Sequence, residues 1–366
     1  MKKPVMLDYI HETRQYAARV LDNSAKNCER FAAQYAARKY KRILIAASGT
    51  SCNACITARP FMEKVLGVPV TVFTAYDFAH YDKVIHRDED LLITLTQEGE
   101  STNTLDCIRK ADQLSLDNWI VTEDRDSTGT NMAGGRVIID CGREYVGPKT
   151  KGYTCSVLTL YVMALEAGKA AGSITDAQYA DYMARARRTV DNIDNVIERS
   201  KAWFEHNKEQ LVPCERCYMI SYGANVGTVL EGALKSLETV RYTFFSFELE
   251  EFLHGPIASV KKDVYLLLVS PRGEGYQRAN TLYKFLDQHH PNTFGVGAQD
   301  GVDSPKVLDG GFMDDEDFSP LEYGIPLQLF AYLLYTAKGI DLEVREYPRP
   351  GDALSTKAQK LERPQG

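Results

Sequence analysis

Residues 42–66 read RILIAASGTSCNACITARPFMEKVL, and this stretch decides the fold. Ile43, Leu44 and Ile45 run into Ala46 and Ala47, Ser48 and Gly49 interrupt them, and a helix-compatible stretch follows. A short apolar run closed by turn residues is the mark of a buried strand, so the segment reads as strand, tight turn and helix. The same grammar continues outward with PVTVFTA (Pro69–Ala75), LLITLT (Leu91–Thr96), NWIVTE (Asn118–Glu123) and RVIID (Arg136–Asp140), several of them separated by helical segments. Strands alternating with helices build parallel βαβ units, which predicts a doubly wound α/β sheet with helices on both faces.

On the N-terminal side, Tyr9, Ile10, Tyr16, Val20, Leu21, Phe31 and Tyr35 recur at helical spacing and predict a helical arm. Beyond the sheet, Thr150 to Asn207 predicts two consecutive helices broken near Gly172–Thr175. The grammar then restarts, with YMISYGANVGTVLEGALKSLETV (Tyr218–Val240) repeating strand, turn and helix, and YTFFSF and VYLLLVS following as strands. Gly49 and Gly223 stand 174 residues apart, as do Gly99 and Gly273. A repeat of that size means two copies of one domain rather than a solenoid, whose period is about 20–50 residues. The expected organisation is a helical arm over 1–38, a first domain with its linker helix over 39–195, a second domain over 196–345 and a tail over 346–366.

The chain has 366 residues and a formal charge of −7, with 43 Lys plus Arg against 50 Asp plus Glu. That balance argues against a nucleic-acid partner. Hydrophobic residues make up 44% and charged residues 25%, an ordinary globular balance, and no run approaches the ~20 apolar residues of a membrane helix. No membrane partner is expected. The opening MKKPVMLDYIHETRQ offers too few apolar residues before Asp8, His11 and Glu12 for a signal-peptide core. Most of the eight cysteines lie in apolar stretches, which suits a reducing, cytoplasmic setting. Cys52-x-x-Cys55 and Cys214-x-x-Cys217 have redox- or zinc-like spacing, but no nearby histidine completes a finger, so neither a metal nor a cofactor is expected.

Two turns carry the first functional signal. SGTSCN (Ser48–Asn53) follows a strand and opens a helix, and TQEGEST (Thr96–Thr102) follows another strand. Helix N-termini favour anions, and ligands of open α/β sheets bind at the carboxyl ends of the strands. Serines and threonines there can equally serve only as helix caps. Neither turn matches the phosphate loop of nucleotide-binding proteins or the glycine fingerprint of dinucleotide binders, which leaves a sugar phosphate as the better-fitting anion.

These residues also carry a resemblance covering nearly the whole chain. ASGTSCNA, TQEGES and EYVGPKTKGYT resemble the CGTS, SQSGET and E-x-G-V-A-S-T-K segments of the double sugar-isomerase-domain (SIS) proteins, which include the isomerase half of glucosamine-6-phosphate synthase, fructosamine-phosphate deglycases and amino-sugar-phosphate deaminases. LEGALKSLETVRYTFFSFELEEFLHGP (Leu230–Pro256) is similar, without a gap, to the family's E-G-A-L-K-x-K-E and E-x-x-H-G-P stretch. The resemblance implies two tandem flavodoxin-like domains and a phosphorylated sugar or amino-sugar substrate. It further implies a homodimer whose active site is shared between subunits.

It also implies roles for individual residues. Gly49, Thr50, Ser51, Thr96, Gln97 and Ser101 would hold the phosphate. Glu98 departs from the pattern, standing where the synthase has a phosphate-contacting serine, so that it either turns away or meets a cationic part of a different substrate. Lys149, where the pattern has serine, would supply compensating charge or lie on the surface. Glu238 would be the base that carries a proton between neighbouring sugar carbons, with Glu231 and Lys235 on the same helical face. His254 would assist ring opening, since imidazole gives and takes protons near neutral pH. Lys357 in the tail, with Lys360 as the alternative, would form a Schiff base with the open ketose.

The reading that follows is an enzyme that isomerises a phosphorylated amino sugar or ketosamine and cleaves its C–N bond, as a deaminase or deglycase. Because the chain has no glutaminase portion and no Cys after Met1, glutamine-dependent synthesis by this chain alone is not expected. The alternative is a non-catalytic sugar-phosphate sensor, which a basic helix-turn-helix would favour.

Overall fold

The structure is a computed structural model, and it describes residues 5–344, 347 and 351–358. The chain opens with α1 (Met6–Asp22) and α2 (Ser24–Arg38). The first sheet follows as β1 (Arg42–Ala47), β2 (Val70–Thr74), β3 (Asp90–Leu95), β4 (Asn118–Thr122) and β5 (Gly135–Ile138). Between its strands run α3 (Thr50–Leu66), α4 (Ala75–His80), α5 (Thr102–Gln113) and α6 (Thr128–Met132). Helices α7 (Lys151–Ala171), α8 (Asp176–Asp191), α9 (Ile193–His206) and α10 (Lys208–Leu211) lead to the second sheet. Its strands are β6 (Arg216–Ser221), β7 (Thr243–Glu248), β8 (Tyr265–Val269), β9 (Thr293–Val296) and β10 (Val307–Leu308). They run with α11 (Asn225–Thr239), α12 (Leu249–Leu253), α13 (Tyr276–His289) and α14 (Ser319–Ala337), and a short α15 (Gly351–Leu354) follows.

Two compact units result. One comprises Arg19–Arg143, Cys155–Tyr182 and Glu343–Gly366 and holds the first sheet; the other comprises Met1–Ala18, Glu144–Thr154 and Met183–Leu342 and holds the second. In the first sheet the order is β2-β1-β3-β4-β5, and in the second, from the opposite edge, β7-β6-β8-β9-β10. These are one topology, and every ladder is parallel. The two tandem doubly wound sheets expected from the sequence are therefore present, and so is the duplication implied by the 174-residue spacing.

Burial explains why the central strands are nearly unbroken apolar runs. All of β3 is buried, because helices cover both faces of a parallel sheet. Its one charged residue, Asp90, is held by Arg42 in a two-pronged pair at 2.9 and 2.6 Å and accepts the His86 N–H. In the second unit, Met219, Leu267 and Phe294 cluster with Trp203, Leu327 and Phe330, whereas Ile220, Leu266 and Leu268 cluster with Phe252 and Tyr283. Alternate residues of each strand thus serve opposite faces.

Three details differ from the sequence expectation. The N-terminal arm is two helices, broken at Asn23, whose side-chain amide donates to Asp140 at 2.7 Å. The segment after Thr150 holds three long helices rather than two, because α8 ends before Asn192, whose amide donates to the Gly311 carbonyl and the Glu322 carboxylate. Both asparagines spend their side chains on tertiary partners, which periodicity does not reveal. The RVIID strand covers Gly135–Ile138 and stops short of Asp140, which has a positive φ of 63°.

Candidate active site

In a 2-1-3-4-5 sheet the chain leaves neighbouring strands β1 and β3 in opposite directions, and the crevice between those exits is where ligands settle. Both turns expected to hold an anion stand there. After β1, Gly49 has φ +56°, a conformation glycine adopts without strain, and this bend starts α3 at Thr50. Thr50 and Ser51 are half-buried in the first turn of that helix. After β3, the chain passes through Thr96, Gln97, Glu98, Gly99 and Glu100 to Ser101, the N-cap of α5.

The second turn is anchored on its far side. The Gln97 carbonyl accepts the Glu123 N–H at 3.0 Å and the Thr122 hydroxyl at 3.1 Å, and the Gly99 carbonyl accepts the Gly129 N–H at 3.0 Å. Gly99 has φ +70°, and a Cβ there would fall 2.0 Å from Ser127 Oγ, so this site admits only glycine without rearrangement. The Thr96 and Ser101 hydroxyls meet at 3.3 Å. Asn103 Nδ2 donates to Ser48 Oγ at 2.7 Å, tying the second turn to the first. The sequence reading did not mark Asn103, because only the β1–β3 pairing brings it to Ser48.

Lys357 belongs to the same cluster. Ser101 and Lys357 form an antiparallel bridge, flanked by Thr102 N–H to the Thr356 carbonyl at 3.2 Å and Ala358 N–H to the Glu100 carbonyl at 2.8 Å. The bridge brings the Lys357 ammonium onto the Glu98 carboxylate. Lys360 lies outside the described residues.

The second unit holds the acid–base candidates. Glu231, Lys235 and Glu238 lie on one face of α11, at the four- and three-residue spacings that bring side chains together. Lys235 Nζ is 3.5 Å from Glu231 Oε1 and 2.5 Å from Glu238 Oε2. Lys235 and Glu231 are buried, whereas Glu238 remains 38% exposed. Burial works to lower the Lys235 pKa, but the two carboxylates outweigh it and raise it above the ordinary lysine value. The triad therefore pins a reachable carboxylate, Glu238, on a buried cation.

His254 ends α12 on an exposed position, its N–H bonded to the Glu250 and Glu251 carbonyls. Lys149 donates to the Glu144 carbonyl at 2.5 Å. The buried Glu144 side chain also accepts the Thr150 and Gly152 N–H groups at 2.9 Å each, an anchor at the start of α7 that the sequence reading did not single out. Beside it, the buried Lys151 pairs with Glu12 at 2.5 Å and stands 3.8 Å from the Tyr16 ring centroid.

The second sheet repeats these turns with different contacts. At the position equivalent to Glu100, the Glu274 N–H donates to Glu316 Oε1 at 3.0 Å, so the chain's own carboxylate fills this turn. At the position equivalent to Glu98 stands Arg272, paired with Asp300 at 2.7 Å. The two copies thus differ in charge at equivalent positions of the turn, Glu98 in the first and Arg272 in the second.

Twin parallel sheets with hydroxyl-bearing turns at a topological switch point define a duplicated, doubly wound α/β protein. Residues 37–167 match the SIS domain. The chain is 26% identical over 317 residues to the glutamine–fructose-6-phosphate aminotransferase (isomerizing) of Pseudomonas putida KT2440, covering 83% of this chain and 50% of that protein. It thus spans about half the length of the curated relatives it matches. Among solved structures, it superposes with a TM-score of 0.90 on a protein of Clostridium difficile 630 provisionally assigned as a phosphosugar isomerase, at 24% identity, with 97% of this chain and 99% of that one covered. The C-terminal domain of glucosamine-fructose-6-phosphate aminotransferase from Francisella tularensis matches with a TM-score of 0.84 at 24% identity, covering 93% and 98%. At these identities the structural matches establish the fold. Among the described residues no helix is long and apolar enough to cross a membrane.

Proposed function

We propose that the chain is an enzyme that isomerises a phosphorylated ketosamine or amino sugar and releases its amine. The observation that carries this reading is the α11 triad, in which buried Lys235 holds Glu238 at 2.5 Å with its carboxylate partly open to solvent. A carboxylate so fixed is suited to move a proton between adjacent carbons. On a ketosamine, Glu238 takes a proton from C1 and returns it to C2 while the nitrogen's proton passes to the C2 oxygen, turning the C1–N single bond into an imine. Water then adds at C1 and the amine departs. His254 serves ring opening, and the Thr50, Ser51, Thr96 and Ser101 hydroxyls with the Gly49 and Gln97 backbone receive the phosphate. Lys149 lies near the start of α7 as a reserve of positive charge. The names of the relatives support a phosphosugar substrate, the placing of the cysteines in apolar stretches supports a cytoplasmic setting, and the SIS resemblance supports a homodimer with a shared site.

The test is a panel of glucosamine 6-phosphate, fructose 6-phosphate with ammonia, and fructose-amino-acid 6-phosphates, with sugar and amine products followed. Turnover of one member is expected, and Glu238→Gln should lower it by about 10²–10⁴ while leaving binding intact. Tight binding of a member with no turnover of any would overturn the enzyme reading in favour of a sensor. Mixing His254→Ala with Glu238→Gln protein should restore activity if the site is shared between subunits, and a failure to complement would refute that geometry.

A further inference from the structure

Glu98 puts a carboxylate in the turn that is to receive a dianion, and the chain answers it from 259 positions away with Lys357. The contact is built by the backbone. Hydrogen bonds on both sides of the Ser101–Lys357 bridge fix the register that lays the ammonium on Glu98. Ala358, next along, packs with Leu105, Ile108 and Ile120, which anchors that register in the core of the same unit.

The duplicated half supplies an internal comparison. There the turn is occupied by an anion, Glu316, on the Glu274 N–H, and the position equivalent to Glu98 is the cation Arg272. In the first half the equivalent Glu100 N–H has no acceptor among the described residues, and the neighbouring position is acidic rather than basic. A turn at the same place in the sheet but with reversed side-chain charge accepts an anion only if the charge is balanced.

We propose that Lys357 is that balance: an anion-binding residue that neutralises Glu98 and so converts the second turn into a site for a phosphate monoester. This rests on the phosphosugar reading above and specifies its binding site. It also gives Lys357 a different role from the Schiff-base role that the SIS resemblance implies, because an ammonium against a carboxylate suits anion binding, whereas attack on a carbonyl needs a neutral amine. On this assignment the lysine is required because of Glu98, and the requirement disappears with the carboxylate.

The experiment is calorimetric titration of glucosamine 6-phosphate and of inorganic phosphate into the full chain, as wild type, Lys357→Ala, Lys357→Arg, Glu98→Gln and the Lys357→Ala/Glu98→Gln double variant. Thermal melting of each checks that it is folded. Lys357→Ala should weaken both ligands by about tenfold or more, the scale of a lost hydrogen bond to a charged group. Lys357→Arg should bind within about threefold of wild type, since the charge is kept. The double variant should recover most of the loss, whereas a residue used for its own contacts or chemistry gives no such rescue. Equal binding by wild type and Lys357→Ala, or a double variant as weak as Lys357→Ala, would overturn the proposal while leaving the phosphosugar reading standing. Borohydride trapping of sugar on Lys357 during turnover would overturn it too. Failure of wild type to bind either ligand would remove both.

Discussion

At the residue scale, Lys235 and Glu238 touch but answer to different constraints. Lys235 shares the interior with Glu231, and removing the cation leaves a buried carboxylate without its counter-charge. Lys235→Met should therefore lower unfolding stability by about 3–5 kcal/mol, the usual consequence of breaking a buried pair from one side. Glu238 is partly exposed, so Glu238→Gln should change stability by less than about 1 kcal/mol. Its turnover should nevertheless fall by about 10²–10⁴, as expected for loss of a general base. Chemical denaturation and steady-state kinetics on both variants separate the two, and a stable, inactive Lys235→Met would contradict the structural part. The pH sign follows from the raised Lys235 pKa. Its stabilisation is fully present below the ordinary value of 10.5 and fades only as pH climbs through the higher native one, so denaturation midpoints of wild type and Lys235→Met should converge above that range. Helical spacing made this triad legible in the sequence, because i, i+3 and i+4 neighbours meet wherever a helix forms. The Glu98–Lys357 contact was not legible, since nothing local joins residues so far apart.

At the element scale, the strands were readable because parallel strands buried on both faces are largely apolar, as β1 and β3 are beyond the Arg42–Asp90 pair at their starts. The helix breaks at Asn23 and Asn192 were hidden, since each depends on a partner supplied by a distant loop or helix. The turns after β1 and β3 lie between these extremes. Their glycines announced them, but only the structure shows that the glycines do different work. Gly49 has a positive φ, and a Cβ placed on it would meet nothing within 4 Å, so only backbone strain opposes alanine. With ψ −134° the glycine lies outside the left-handed helical region, so Gly49→Ala should cost about 1–3 kcal/mol. Gly99 has the same kind of φ and, in addition, Ser127 Oγ and Cβ within 2.4 Å of the new atom. Gly99→Ala should cost at least about 3 kcal/mol, because strain and overpacking add and the turn must lift from Ser127. A Gly99→Ala/Ser127→Gly double variant should recover the steric part alone. If the two single variants were equally stable, Ser127 would not be what holds the second turn in place.

At the scale of the whole molecule, duplication gave one architecture twice and then let its charges diverge, and the second unit makes stability depend on pH through a buried carboxyl on α14, a helix that packs against α11. Glu322 sits at the start of α14 in the second unit, almost wholly buried, where burial chiefly pushes its pKa up to about 7. Hydrogen bonds from Asn192 and the Met313 N–H pull the other way, and Asp314 and Asp315 add to the rise. A carboxyl whose native pKa exceeds its unfolded value binds a proton more tightly when folded, so its contribution is most favourable below about pH 4.5 and declines as pH rises to about 7. A rise from 4.5 to about 7 corresponds to about 3 kcal/mol between those limits. Other carboxylates, such as Asp300 beside Arg272, have lowered pKa values and push the overall curve the opposite way, so the wild-type profile by itself does not isolate Glu322. The difference between wild type and Glu322→Gln does. Glutamine does not ionise, so the variant should gain stability relative to wild type by about 3 kcal/mol on going from pH 5 to pH 8, whatever constant offset its altered hydrogen bonds to Asn192 and Met313 impose. Denaturant unfolding at half-unit pH steps reads that difference directly. Parallel profiles for the two proteins would mean that Glu322 is already ionised in the folded state at pH 5, with Asn192 and the Met313 N–H sufficient to hold the charge.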